Sequence, residues 1–276
     1  MRVPDWLIYG GVVSALLVAS ITGRENADTP ATLPLSADET PVEGDLLGPV
    51  TPFDPAVTVD APQGPFQPSA GTAFSIAKAG RWVTARHVVE GCSKPALIIG
   101  GGRAVAASVR LAVRADIAVL ITEGGSAGLP VQGDVPLHVG ARGFHPGYPQ
   151  GRAGEVSSLL LGRETLKVRG RGQRNEPVLA WAEVGRTQGL EGTLAGLSGA
   201  PAIDRDGRVL GVTIAESPRR GRVYTTAPET FGPAMQAVET DLDAPLADPI
   251  TTANYGQVAD GLRRDLRVAQ VVCLST

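Results

Sequence analysis

Three short segments of this chain carry residue types that can do chemistry together. In Trp82-Val83-Thr84-Ala85-Arg86-His87-Val88-Val89 an apolar strand pattern runs into a histidine. In Arg114-Ala115-Asp116-Ile117-Ala118-Val119-Leu120 an acid heads an apolar run. In Gly196-Leu197-Ser198-Gly199-Ala200-Pro201 a serine stands between glycines. Each alone has an ordinary structural use, as a core histidine, a strand cap and a turn. Together they supply what a nucleophilic serine needs. Its hydroxyl reacts poorly at neutral pH unless a base lies within hydrogen-bond reach. Histidine has a suitable pKa, and a buried carboxylate fixes its tautomer and stabilises the imidazolium. Glycines beside the serine let the backbone turn sharply, so that N–H groups aim at a developing oxyanion.

Chain order narrows the choice of scaffold. The order is His, Asp, Ser. A nucleophile elbow needs its acid and histidine after the serine, yet no histidine follows Ser198; the three are His87, His138 and His145. An order with the acid first would draw it from the proline-rich segment before His87, which is a poor place to fix a buried carboxylate. His138 and His145 have no metal-ligand spacing and are read as structural. No metal or other cofactor is expected.

The elements that must position these residues are short. Candidate strands are 71–77, 82–84, 95–99, 104–112 and 117–122, then 137–143, 154–161, 178–184, 200–203, 208–215 and 222–226. Asp206-Gly207 between two of them is a strong hairpin signal. Gly (35) and Pro (22) are plentiful and aromatic residues make up only 4%, which suits an all-β domain with many turns. Two groups of strands joined near 124–136 predict two antiparallel barrels. Residues 254–266 have helical spacing, and 267–274 read as a final strand.

The domain is preceded by two segments of different character. Residues 6–22 are uncharged and follow Arg2. As a helix they would rise roughly 25 Å, marginally enough to cross a bilayer core. The run is long for a signal peptide and lacks a clean Ala-x-Ala end, so an uncleaved anchor over residues 1–23 is expected, with secretion after cleavage as the alternative. From Arg24 to Pro68 come nine prolines and many acids, among them Asp28, Asp38, Glu39, Glu43, Asp45, Asp54 and Asp60. That composition predicts a solvated tether over 24–68, with the folded domain spanning 69–276. The net charge of −3 supplies no basic face and argues against a nucleic-acid partner. Cys92 and Cys273 are the two cysteines; in an exported domain they are expected to form one disulfide.

The segments GTAFSIAKAGRWVTARHVV, ADIAVL and GLSGAPAIDRDGRVLGV resemble the trypsin-like serine peptidases, nearest to compact bacterial members of the HtrA type. The resemblance covers about residues 70–240. It implies a chymotrypsin-like fold of two six-stranded barrels with the site between them, here with an N-terminal membrane helix and a C-terminal helix added. It implies His87 as base and then acid, Asp116 as its orienting carboxylate, Ser198 as nucleophile, and the N–H groups of Gly196 and Ser198 as oxyanion hole. The primary pocket would be lined by Gly192, Thr193, Val212, Thr213, Ile214 and Glu216. Leu197 stands where such families usually have Asp or Asn, so activation through a new N-terminus pairing with that acid is not expected. No Asp lies in the segment Gly192–Leu194 to favour Arg or Lys, and a small or apolar substrate side chain is expected. Too few residues follow Ser198 for a PDZ domain. The function implied is a membrane-anchored or exported endopeptidase, on the periplasmic side of a bacterial inner membrane, acting on protein or peptide. The alternative is a catalytically silent relative that binds peptides or scaffolds a complex.

Overall fold

The computed structural model describes residues 44–61, 69–131, 136–170, 172–236, 238, 240 and 249–274. The predicted anchor lies outside the described residues, as does the tether up to residue 43. Among the described residues no helix is long and apolar enough to cross a membrane.

The strand-like runs of the first half pair into one antiparallel sheet. It contains β2 (Ala70–Ala77), β3 (Arg81–Thr84), β4 (Pro95–Gly100), β5 (Arg103–Ala106), β6 (Ser108–Leu111), β7 (Ala118–Ile121) and β14 (Val268–Cys273), in the order β5-β4-β14-β2-β3-β7-β6. The edges β5 and β6 are neighbours in sequence, split at Ala107, whose N–H bonds to the Pro95 carbonyl. The sheet is a half-barrel, and the run 104–112 is two strands rather than one. The last strand of the chain closes the gap between β2 and β4.

The second sheet contains β1 (Ala56–Ala61), β8 (Arg142–Gly147), β9 (Gly154–Gly170), β10 (Arg174–Arg186), β11 (Pro201–Ile203), β12 (Val209–Ser217) and β13 (Arg222–Thr226). Pairing of β8 with both β9 and β11 closes six of these strands into a ring. The fold is mostly β, with one ring and one half-barrel. Each sheet has seven strands where six were expected.

The extra strand of the ring, β1, comes from within the predicted tether and lies parallel to β9, with Ala56 opposite Thr165 and Ala61 opposite Gly170. Its sequence AVTVDA alternates apolar and polar residues, a period-2 pattern that suits a half-buried edge. Upstream, Gly44 and Leu47 donate to the Val139 and Leu137 carbonyls, and Val139 donates to Asp45. Residues 44–61 therefore lie along the second sheet rather than free in solvent. This also explains why the predicted strand 137–143 is displaced: residues 137–139 serve the incoming chain, and β8 begins only at Arg142.

The main core includes Phe74, Trp82, Leu97, Ile117 and Leu120 from the first sheet and Leu166, Val178, Val212 and Tyr224 from the second. Three helices complete the fold: α1 (Arg86–Val89), α2 (Pro228–Gln236) and α3 (Tyr255–Arg264). The helix expected over 254–266 is α3; α2 was not anticipated. Buried Arg263 fastens α3, donating to the Gly147 and Gly154 carbonyls and pairing with Glu155 at 2.8 Å. The expected disulfide joins Cys92 to Cys273, tying the end of β14 to the turn after α1.

Candidate active site

His87 sits in α1, one turn of helix immediately after β3. Buried Val88 and Val89 anchor that turn, while the imidazole is 40% exposed. Asp116 lies in the loop leading into β7 and is almost wholly buried. Its Oδ1 accepts the His87 backbone N–H at 2.9 Å, and its Oδ2 stands 2.6 Å from His87 Nδ1. A carboxylate takes a proton donor at that distance, so Nδ1 carries the hydrogen and Nε2 is left as the acceptor facing outward.

Burial acts to lower the His87 pKa, but the Asp116 charge and its hydrogen bond outweigh burial and leave it above the usual histidine value. Burial acts to raise Asp116, and the adjacent His87 and Arg174 outweigh it and hold the carboxyl below its usual range. The two shifts agree that an ionised Asp116 stabilises a protonated His87.

The serine segment is positioned from the opposite sheet by backbone bonds. Leu197 N–H donates to the Leu194 carbonyl and Ala200 N–H to the Leu197 carbonyl, forming a tight turn around Ser198. Gly199 N–H donates to Thr213 on β12. Gly199 has φ +91°, and a Cβ there would lie 1.9 Å from the Thr72 carbonyl and 3.0 Å from Ala85 N. Only glycine fits this place, and it brings the serine turn against the chain two residues before His87. The N–H groups of Gly196 and Ser198 have no partner among the described residues. The Ser198 hydroxyl likewise makes no hydrogen bond among the described residues.

Thr72 on β2, absent from the sequence-based set, holds the two sheets together here. Its N–H donates to the Ser198 carbonyl at 2.8 Å and its hydroxyl to the Gly196 carbonyl at 2.8 Å. The same hydroxyl accepts Tyr148 N–H, and the Thr72 carbonyl accepts the Thr84 hydroxyl. Gln150 was also missed. At φ +55° it donates its backbone N–H to Ala195 and its side-chain amide to the Glu191 and Thr193 carbonyls, bracing the loop before the serine. No local motif marks either residue.

Of the predicted pocket residues, Val212, Thr213 and Ile214 are buried on β12, and Thr213 bonds His145 at 3.0 Å. Glu216 and Thr193 are brought together: the carboxylate accepts the Thr193 hydroxyl and, at 2.7 Å, the Leu194 N–H. Gly192 is exposed, and its carbonyl accepts Arg186. His145 is buried between the Ser158 and Thr213 hydroxyls, and burial takes its pKa down to about 3. His138 bonds the Gly44 carbonyl at 3.0 Å. Both are structural residues, the first in the ring and the second under the tether.

The trypsin-like peptidase domain family matches residues 71–212, just over half of the chain. No curated protein matches by sequence. Among solved structures, the active form of the Rv3671c protease from M. tuberculosis is 18% identical. It covers 75% of this chain and 98% of its own, with a TM-score of 0.50. Its inactive form is 22% identical over 62% and 84%, with a TM-score of 0.49. The HtrA-type protease AlgW with a decapeptide is 17% identical over 60% and 50%, with a TM-score of 0.45. Likeness at these identities concerns the fold alone.

Proposed function

This chain belongs to the trypsin-like peptidase family, and from that membership we propose that it is a serine endopeptidase using His87, Asp116 and Ser198. The observation that carries the reading is the two-point grip of buried Asp116 on His87, through the backbone N–H and Nδ1. That grip leaves Nε2 free to take the Ser198 proton. Ser198 Oγ attacks the scissile carbonyl, and the free N–H groups of Gly196 and Ser198 receive the oxyanion. His87 then passes the proton to the leaving amine, an acyl-enzyme forms, and water completes hydrolysis by the reverse relay.

Because the Glu216 carboxylate is engaged by Thr193 and Leu194, it is no free anion for a basic side chain, which supports a small or apolar preference. The substrate of such a peptidase is a protein or peptide. The Cys92–Cys273 disulfide supports an extracytoplasmic setting, with residues 6–22 as membrane anchor or export signal.

Treating the full-length protein with a fluorophosphonate probe tests the activity. Covalent labelling at Ser198, abolished by Ser198→Ala, is expected. Absence of labelling, with a known serine hydrolase labelled in parallel, would overturn the reading.

A further inference from the structure

Asp116 is held by more than His87. Arg174, at the start of β10, places Nη2 2.5 Å from Asp116 Oδ2, the same oxygen that receives His87 Nδ1. Glu176, two residues on and nearly wholly buried, completes the cluster. Its Oε2 accepts the Asp116 backbone N–H at 3.0 Å, and its Oε1 accepts Arg174 Nε at 2.9 Å. One carboxylate thus grips both the main chain of Asp116 and the guanidinium that grips its side chain. Asp116 is fixed from three directions.

These residues reach the triad because β9 and β10 are long. In their outer part Arg174 pairs with Val168 and Glu176 with Leu166. Buried Leu166 and Val168 belong to the same core as Val88 and Val89 of α1. The hairpin shares that core, and its polar edge meets Asp116 through Arg174 and Glu176.

We propose that Arg174 and Glu176 are positioning residues of the triad, which lock the Asp116 carboxylate against His87 and set the pH range over which His87 is free to act as base. The proposal rests on the triad reading above. Arg174 shares the Asp116 charge with His87, so less of it is available to stabilise the imidazolium, and His87 stays unprotonated further into acid. Glu176 works in the opposite sense, adding negative charge nearby. Among the described residues the other charged groups here are Arg86 of α1 and Glu90, which follows that helix, and they pair with each other at 2.5 Å. Arg86 also donates to the Ala112 carbonyl.

The chain has only three histidines, so selective 15N-histidine labelling of the full-length protein lets His87 be titrated by NMR without reference to catalysis. Arg174→Ala is expected to move the His87 midpoint up by about one pH unit, a size usual for loss of a neighbouring opposite charge on the partner acid. The acid limb of the fluorophosphonate labelling rate should rise with it, costing about tenfold in rate well below the midpoint. Arg174→Lys should restore most of the shift. Glu176→Gln should move the midpoint the other way, and it carries the test if Arg174→Ala does not fold. A part that merely braced the fold would not give shifts of opposite sign. If wild type labels and neither folded variant moves the midpoint, the inference fails alone. If the midpoints move as expected and wild type never labels, the catalytic reading fails while the coupling stands.

Discussion

A hydroxyl that bonds two backbone groups at once is hard to replace, and the Thr72 hydroxyl does this beside the serine turn. Thr72→Val keeps the shape and removes the hydroxyl. It removes the part-buried bonds to the Gly196 carbonyl and the Tyr148 N–H, a loss of about 0.5–1.5 kcal/mol for each bond. Because both groups flank the proposed oxyanion segment, the cost should appear in reactivity as well as stability. We expect fluorophosphonate labelling of Thr72→Val to slow at least tenfold, with Thr72→Ser close to wild type. A valine variant that labels at the wild-type rate would show that Thr72 braces the fold without shaping the site. His87, Asp116 and Ser198, the proposed triad, were marked in the sequence because each sits in a short pattern with a chemical rationale. Thr72, Gln150, Arg174 and Glu176 were not, because each acts on residues more than 40 positions away through pairings that no local pattern encodes.

Elements were legible where the hydrophobic period was clean. Strands β2, β3, β4, β7 and β13 fall where alternating or continuous apolar runs placed them, and α3 falls where helical spacing did. Misreadings arose where tertiary pairing overrode composition. β9 and β10 run well past the apolar stretches 154–161 and 178–184, because polar residues such as Thr165, Arg174 and Asn175 are held in register by the neighbouring strand. The tether was read as solvated from its prolines and acids, yet Val57 and Val59 between those prolines suffice for an edge strand. Since β1 pairs with residues 165–170, and β10 carries Arg174 opposite Val168, the tether backs the hairpin that reaches Asp116. Val59→Pro removes a ladder donor from β1 and should unzip it. Hydrogen exchange should then quicken across residues 165–170 while β2 and β14 keep their protection. Unchanged exchange there would mean that the hairpin is rigid without the tether strand.

At the scale of the molecule, the buried histidine of the ring makes stability fall in acid. His145 lies between two hydroxyls with no acid beside it, and its pKa falls to about 3 from an ordinary value near 6.5. The unfolded chain therefore binds a proton that the folded chain refuses. Stability falls as pH drops below about 6.5 and goes on falling toward 3. His87 acts with the opposite sign: its raised pKa gives stability that is present in acid and lost as pH rises through the folded value. The stability held by Asp116 is present above the ordinary aspartate range and lost only as pH falls below it. Between pH 6.5 and 5, then, His145 is the destabilising member of the three. Over that interval its share is on the order of 2 kcal/mol, set by the unfolded histidine pKa. His145→Gln keeps hydrogen-bonding capacity toward Ser158 and Thr213 but cannot take up the proton. Urea midpoints at pH 7.5 and pH 5 should diverge for the wild type and draw together for the glutamine variant, even if that variant is less stable at both. An equal acid loss in the two proteins would mean that His145 accepts its proton in the folded ring, and that the acid sensitivity of this fold lies elsewhere.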